Sequence, residues 1–323
     1  MKHSSSFVLS VLLIFVMLVG CKPVADLSPA APAAAQSDSS DSPTPITPAP
    51  LPNQEESASS WQIILQTEVQ HATTIAGFLD EHHGITAGVG GEVHTTTDGG
   101  NTWPEAANSS LCRFGLEILD EQVAWHCGNG GHVRVSKDSG QTWHAVADFG
   151  PNEPRHCRML SFVEPETGWV ATPDQLGATT DGGTSWTEIN LPEDIQNMAA
   201  IALRTSNDGY LLDKKGDVFI TQDGGETWIS GSLGLEAGKE LMDFNAPMAA
   251  MRWYDADHGL VVVSLVGKGD SEVLAFHTAD GGQTWEQESV PAQFGVLYLT
   301  RDGRVLTITH LGNKITVLRY EGL

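Results

Sequence analysis

One nine-residue pattern occurs five times between residues 95 and 285, and it limits the fold more than any other feature of the sequence. From its second position each copy contains Ser/Thr, any residue, Asp, any residue, Gly, any residue, Ser/Thr and Trp. The copies, here called boxes, are TTTDGGNTW, VSKDSGQTW, ATTDGGTSW, ITQDGGETW and HTADGGQTW, ending at Trp103, Trp143, Trp186, Trp228 and Trp285. Repeats of about 40 to 45 residues with short alternating strands are typical of four-stranded propeller blades.

The residue types of the box predict a structural role. The aspartate folds back on backbone N–H groups of its own turn, the glycine supplies a positive φ, and the tryptophan packs the hairpin against its sheet. The five aspartates are Asp98, Asp138, Asp181, Asp223 and Asp280. A calcium loop uses similar residues, but each box offers only one carboxylate, so we expect no metal and no other cofactor.

The segments between boxes predict four short strands per repeat. In the third repeat three of them are residues 159–163, 168–172 and 177–180, and the fourth follows the box. Because the box joins the third and fourth strands of a blade, five boxes give five blades.

The two ends of the chain predict a sixth blade. After the last box, residues 296–300, 305–310 and 315–320 form three strands with no fourth. Ser60 and Trp61 reproduce the Ser/Thr-Trp that ends each box, and residues 61–66 alternate as a strand. We therefore predict an all-β fold over residues 61–323, a six-bladed β-propeller closed by pairing the N-terminal strand with three C-terminal strands. Closure removes the exposed edges of an open array, and we expect a monomer.

The boxes resemble the Asp-box, also called the bacterial neuraminidase repeat. Together with Gly168-Trp169 and Ala124-Trp125 in the strands before them, they look like the photosystem II assembly and stability factor-like propellers. That resemblance implies a non-catalytic propeller that holds a membrane-protein subunit during biogenesis. Members of that family usually have seven blades, whereas six are counted here. The same boxes occur in sialidases, sortilin-type receptors and xyloglucan-cleaving glycosidases, so the resemblance is specific for fold and weak for function.

The N-terminal sequence predicts a secreted lipoprotein. Lys2 and His3 precede an apolar run over residues 7–19, which is too short for a mature membrane helix. The run ends in Leu-Val-Gly-Cys, which resembles a lipobox, so residues 1–20 are interpreted as a signal peptide and Cys21 as the lipidated residue. Residues 21–60 are rich in Pro, Ala and Ser and predict a disordered tether. We expect a lipid-anchored, extracytoplasmic protein of the cell envelope.

Charge and cysteine content restrict the partners. A formal net charge of −24 argues against a nucleic-acid partner, which requires a concentrated basic surface. Three cysteines remain after Cys21, namely Cys112, Cys127 and Cys157. At most one internal disulfide forms among three cysteines, and the sequence does not choose the pair. Three buried thiols are the alternative.

Four arginines on or near the predicted inner strands are the candidate binding residues: Arg113, Arg158, Arg204 and Arg252. If they face the central channel, they form a basic ring suited to a carboxylate or a peptide C-terminus. The alternative is that they pair with acids such as Glu117 and Asp255.

The longest interval between boxes, from Asp223 to Asp280, suggests added loops at residues 233–247 and 266–272. The face with Leu241, Met242, Phe244, Trp253 and Tyr254 is a second candidate for binding, and packing of the fifth blade is the alternative.

No motif indicates catalysis. The Arg-Ile-Pro motif of sialidases is absent, no carboxylate pair stands apart, and the histidines lack metal-ligand spacing. The preferred hypothesis is an envelope propeller that binds a protein or peptide as an assembly scaffold. The alternative is a carbohydrate-active propeller, either a sialidase-like or other glycoside hydrolase or a lectin, and a purely structural envelope component is a third.

Overall fold

The computed structural model describes residues 59–69, 73–88, 91–108, 113–128, 131–149, 157–241, 246–266, 271–310 and 313–322. These residues form strands and turns without an α-helix. Across these ranges, no helix has the length and apolar character needed to cross a membrane. The predicted signal peptide, the lipidated Cys21 and the tether up to residue 58 lie outside the described residues.

Six antiparallel sheets form the six blades. Blade 1 contains β2 (Thr73–Phe78), β3 (Gly84–Gly88), β4 (Glu92–Thr96) and β5 (Glu105–Asn108), and blade 2 contains β6 (Arg113–Ile118), β7 (Ala124–Gly128), β8 (Val133–Ser136) and β9 (His144–Ala145). Blade 3 contains β10 (Met159–Phe162), β11 (Gly168–Ala171), β12 (Leu176–Thr179) and β13 (Thr187–Ile189), and blade 4 contains β14 (Met198–Leu203), β15 (Gly209–Asp213), β16 (Asp217–Thr221) and β17 (Ile229–Ser232).

Blade 5 contains β18 (Glu240–Leu241), β19 (Ala249–Trp253), β20 (Gly259–Val266), β21 (Ser271–Thr278) and β22 (Glu286–Val290). Blade 6 contains β23 (Val296–Leu299), β24 (Val305–Thr309), β25 (Lys314–Tyr320) and β1 (Trp61–Glu68). The inner strands β2, β6, β10, β14, β19 and β23 contact one another in sequence around a ring. The predicted six-bladed propeller is therefore confirmed.

The first and last strands close the ring as predicted. β1 pairs antiparallel with β25, from Trp61 opposite Tyr320 to Glu68 opposite Lys314. Trp61 is buried, and its ring lies 4.9 Å from that of Tyr320. Ser60 adds a backbone bond, because its carbonyl oxygen accepts from the Glu321 N–H at 2.8 Å. The N-terminal strand thus supplies the fourth strand that the C-terminal blade lacks.

Each box is a hairpin held by its aspartate. In the first box, the Thr96 hydroxyl and the Thr102 backbone N–H both donate to Asp98 Oδ1, at 2.8 and 2.9 Å, and the Thr102 hydroxyl donates to Oδ2 at 2.7 Å. Gly100 has a φ of 84°. The hydrogen bonds from Thr102 lower the pKa of Asp98 to about 2. Both carboxylate oxygens are occupied by the turn itself, which explains a structural role.

Large aromatic rings fill the space between several blades. Trp125 of blade 2 stacks on Phe162 of blade 3 with centroids 4.0 Å apart, and Tyr210 of blade 4 stacks on Trp253 of blade 5 at 3.7 Å. Burial of such rings and their stacking hold neighbouring blades together.

A disulfide joins blades 2 and 3. It links Cys127, in β7, to Cys157, just before β10, with Cα atoms 5.5 Å apart. The sequence alone did not determine which cysteines pair, and the structure shows that Cys127 pairs with Cys157. Cys112 lies outside the described residues.

The long fourth interval is only partly loop, which differs from the prediction. β18 lies within the segment 233–247 and pairs with Leu265 and Val266 at the end of β20. Within 266–272, Val266 still belongs to β20, and Ser271 and Glu272 begin β21. The apolar run of β20 extends the hairpin, because each added strand residue gains a cross-strand partner. Met242 and Phe244 lie outside the described residues.

The antiparallel order gives the ring two different faces. The inner strands begin at what we call the upper face, which also carries the connections between blades. The boxes, the turns between first and second strands, and Ser60 lie at the opposite end, the lower face.

Candidate functional site: the central channel

The six inner strands surround a narrow channel. Within it is a small cavity of about 40 Å³ with mostly aliphatic lining, including Leu116, Leu160 and Ile201. The lining also includes four groups that bear charge or a hydroxyl: Glu117, Arg158, Arg252 and Tyr298. Such groups in an apolar channel determine which ligands can approach it.

An ion pair crosses the lower part of the channel. Arg252 Nη2 lies 2.7 Å from Glu117 Oε2, and the two side chains are 13% and 3% exposed. Glu117 pairs with Trp125, the second residue of the second strand of blade 2, and Arg252 pairs with Leu260, the same position in blade 5. The two residues therefore hold equivalent positions on the inner strands of their blades. Blades 2 and 5 are three places apart in a ring of six, so these equivalent positions face each other across the axis.

Blade 6 adds two further crossings at this end. The Tyr298 hydroxyl accepts a hydrogen bond from the Ile118 N–H of blade 2 at 3.1 Å. Arg301 donates to the Phe162 carbonyl oxygen of blade 3 at 2.6 Å. Burial raises the pKa of Tyr298, so its hydroxyl stays protonated. Together with the ion pair, these contacts close the channel towards the lower face.

Glu117 is held in an environment that opposes its charge. Burial raises the pKa of this carboxyl above its ordinary value, and the nearby charges of Arg252 and Arg301 act in the opposite direction. Desolvation of a carboxylate is costly unless a cation compensates it. The two arginines therefore serve to keep Glu117 inside the fold.

The upper end of the channel has a different chemistry. Arg158 and Lys214 share a cavity of about 20 Å³ with Met159, Met198 and Met248. Arg158 is half-buried, just before β10. Methionine side chains adapt to irregular ligands, and a guanidinium binds carboxylates through parallel hydrogen bonds. The upper mouth thus places two cationic side chains beside three buried methionines.

Three of the four candidate arginines have described side chains, and each of the three lies in a different place. Arg113 begins β6, and its side chain lies outside the described residues. Arg158 lies at the upper end of the channel lining and Arg252 at the lower end. Arg204 lies in the turn after β14, where it binds Asp208 at 2.5 Å.

Two of these arginines pair with acids, which was the alternative interpretation. Arg252 binds Glu117 and Arg204 binds Asp208. Asp255, the other predicted acid, is engaged by His258 at 2.9 Å. Arg158 lines the upper end of the channel.

Trp253 and Tyr254, the predicted aromatic candidates, both pack against neighbouring residues. Trp253 is 6% exposed and lies between Tyr210 and Trp285. Tyr254 places its hydroxyl against Gly303, where an added Cβ would overlap it. Leu241 is also buried. These positions hold blade 5 in place.

Sequence reasoning missed Tyr298 and Arg301. A usable signal was present in Glu117, an acid within the otherwise apolar strand β6, and in Arg252, its charge complement at the same position three repeats later. In a six-membered ring this spacing places two residues opposite each other.

Two observations bear on other site chemistries. Among the described residues, no group of three or more His, Cys, Asp or Glu side chains could hold a metal ion. All nine tryptophans lie in the described ranges. The tryptophans of the five boxes are half-buried, and the other four are buried.

Comparison with known proteins gives the same fold. A family model described as photosynthesis system II assembly factor YCF48 matches residues 178–294, which include the last three boxes. No curated protein matches the chain. A solved structure of YCF48 bound to a D1 peptide is 19% identical, with a TM-score of 0.52 over 82% of this chain and 97% of that chain.

Other solved propellers are similar at lower identity. A catalytically inactive virginiamycin B lyase from Staphylococcus aureus with quinupristin is 12% identical, with a TM-score of 0.53 over 78% of this chain and 82% of that chain. A chain of the mitotic checkpoint complex is 10% identical, with a TM-score of 0.56 over 89% and 98%. These structures share the fold, while the match to the YCF48 model confirms the resemblance to the photosystem II assembly factors.

Proposed function

We propose that this protein is a non-catalytic propeller that binds a peptide segment of an envelope protein and holds it during assembly. The proposal rests on the basic upper mouth, where Arg158 and Lys214 lie beside three methionines. The lower end is closed by the pair between Arg252 and Glu117, so a ligand enters from above. The related solved structure, YCF48, is described with a bound D1 peptide, which supports a peptide ligand here.

The mouth suits an acidic or C-terminal peptide segment. A net charge of −24 repels polyanions over most of the surface, so a local pair of cations selects a single carboxylate and not a nucleic acid. The guanidinium of Arg158, at the edge of this mouth, binds the carboxylate.

The protein acts outside the cytoplasm, anchored through lipid on Cys21. The disulfide between Cys127 and Cys157 supports an oxidising compartment, since cytosolic proteins rarely keep structural disulfides. A lipid on Cys21 and a tether up to Ser60 leave the propeller free to meet partners at the membrane.

A peptide titration tests this function. Fluorescein-labelled Gly-Ser-Asp-Ala-Leu-Ala with a free C-terminal carboxylate is titrated with the full chain, and so is its C-terminal amide. We expect the amide to bind more weakly. Arg158→Gln should weaken the free acid about tenfold or more, because losing a charge-assisted hydrogen bond costs about 1.5–3 kcal/mol.

Arg304→Gln is the matched control. Arg304 is an exposed arginine in the turn between β23 and β24 on the lower face, so its removal changes net charge equally. Equal weakening by both variants would mean long-range attraction only and would overturn the assigned mouth.

A further inference from the structure

The second residue of the second strand seals the space between a blade and the next. In blades 2, 3 and 4 this residue is aromatic: Trp125 stacks on Phe162, Trp169 fills the space above Gly209, and Tyr210 stacks on Trp253. In blades 5 and 6 it is leucine, Leu260 and Leu306, and in blade 1 it is Ile85. The residues that face Ile85 on blade 2 are aliphatic, namely Ile118 and Ala124.

The smaller side chains leave a cleft between blades 1 and 2. Its volume is about 290 Å³, and it opens on the lower face. The floor is aliphatic and consists of Leu79, Ile85, Ile118 and Ala124. Ligand pockets range upward from about 300 Å³, so this volume is enough for one large side chain.

The rim of the cleft is acidic. Glu121 is exposed, and Asp120 is exposed beside it in the turn between β6 and β7. His83, on the opposite rim, is held by Asp80 at 2.9 Å. Lysine and arginine are absent from the described lining.

The Asp120 carboxylate also fixes the shape of the rim. Its Oδ1 accepts from the N–H groups of Gln122 and Val123, at 2.8 and 2.7 Å, and the side chain is exposed. The backbone carbonyl oxygen of Glu121 accepts from the Ser139 hydroxyl at 2.6 Å. Two carboxylates above an aliphatic floor attract a cationic ligand with an apolar group.

We propose that this cleft binds a basic peptide segment by one branched aliphatic or aromatic side chain. The side chain fills the space that Trp125 or Tyr210 fills at other blade boundaries, and flanking lysines or arginines contact Asp120 and Glu121. The site lies on the lower face, opposite the mouth at Arg158, so it is independent of the proposed carboxylate site. Two sites of opposite preference would let one propeller hold two segments of a partner.

Labelled peptides measure this binding directly. The probe is fluorescein-labelled Lys-Lys-Gly-Leu-Gly-Lys-Lys amide, compared with the same peptide carrying serine in place of leucine. With the full chain, we expect the serine peptide to bind about tenfold more weakly, because it lacks the buried aliphatic group. Equal binding of the two peptides would reduce the site to general charge attraction and overturn the proposal.

Two variants and one control locate the site. Ile85→Trp fills the cleft with the ring that blades 2 and 3 already carry, and it should weaken the leucine peptide about tenfold. Glu121→Lys should weaken it about threefold or more through charge repulsion. Glu226→Lys reverses an exposed charge on the fourth box and should leave binding unchanged. Loss of binding in Glu226→Lys equal to that in Glu121→Lys would contradict the assigned rim.

Methyl NMR keeps the test informative if Ile85→Trp does not fold. In isoleucine-labelled wild-type protein, the leucine peptide should shift the methyl signals of Ile85 and Ile118 and not that of the exposed Ile229. Unchanged signals for Ile85 and Ile118 at saturation would overturn the proposal. The free-acid peptide of the previous section tests the site at Arg158 separately. A negative result for one of the two sites therefore does not affect the interpretation of the measurement on the other.

Discussion

Breaking the ion pair between Glu117 and Arg252 should destabilise the propeller by different amounts, depending on which of the two residues is replaced. Removing one partner of a buried pair costs about 3–5 kcal/mol. In Arg252→Met the remaining Glu117 keeps Arg301 nearby, and its raised pKa makes protonation easier. In Glu117→Gln the remaining Arg252 cannot lose its charge. We therefore expect about 3 kcal/mol for Arg252→Met and about 5 kcal/mol for Glu117→Gln.

Urea unfolding at 25 °C, followed by tryptophan fluorescence, measures these free energies. The double variant Glu117→Leu/Arg252→Met should lose less stability than either single variant, because no buried charge is left unpaired. The cost of Arg252→Met should also fall on acidification, since protonated Glu117 no longer needs a cation. Single variants that each lose less than about 1 kcal/mol, the value of an exposed pair, would refute the reasoning.

Three further predictions follow from the contacts around the ring. Cys127→Ala/Cys157→Ala should lower the free energy of unfolding by about 2–5 kcal/mol, measured by urea titration without reductant; an unchanged midpoint would contradict a disulfide that supports the fold. Trp253→Ala should cost about 3–5 kcal/mol and leave free-acid peptide affinity unchanged, because the ring is buried against Tyr210; reduced affinity at unchanged stability would assign Trp253 to binding. The hydrogen bonds of Asp98 lower its pKa to about 2, so its contribution to the free energy of unfolding is complete above a pH of about 4 and is lost as the pH falls towards 2. Urea midpoints measured between pH 5 and pH 2 should therefore depend less on pH in Asp98→Asn than in the wild type. Equal pH dependence of the two proteins would argue against the box as an acid-labile element.

The fold was predictable because the box is a local structure. Its aspartate, hydroxyl and glycine satisfy one another within a few residues, so the sequence pattern implies the hairpin. The closing strand was predictable for a related reason, since Ser60 and Trp61 repeat the end of a box. Strand β18 was missed because only two of its residues pair, and the surrounding segment lacks strand alternation.

The channel contacts depended on information beyond local pattern. Arg301 reaches the carbonyl oxygen of Phe162 from 139 residues away, and Arg252 reaches Glu117 from 135 residues away. The cysteine pair was undetermined for the same reason, since three equivalent thiols were available. Local residue types do not determine such partners. They are determined by the number of blades and by which residues of each inner strand line the channel.

Hydrogen exchange with bound peptide tests the central claim, that ligands enter the channel from the upper mouth. The full chain is exchanged with and without a saturating concentration of the free-acid peptide. We predict slower exchange in segments 157–162, 196–199 and 246–249, which surround Arg158 and Met248, and unchanged exchange in the five boxes. Protection confined to the boxes and the turns of the lower face would contradict the account.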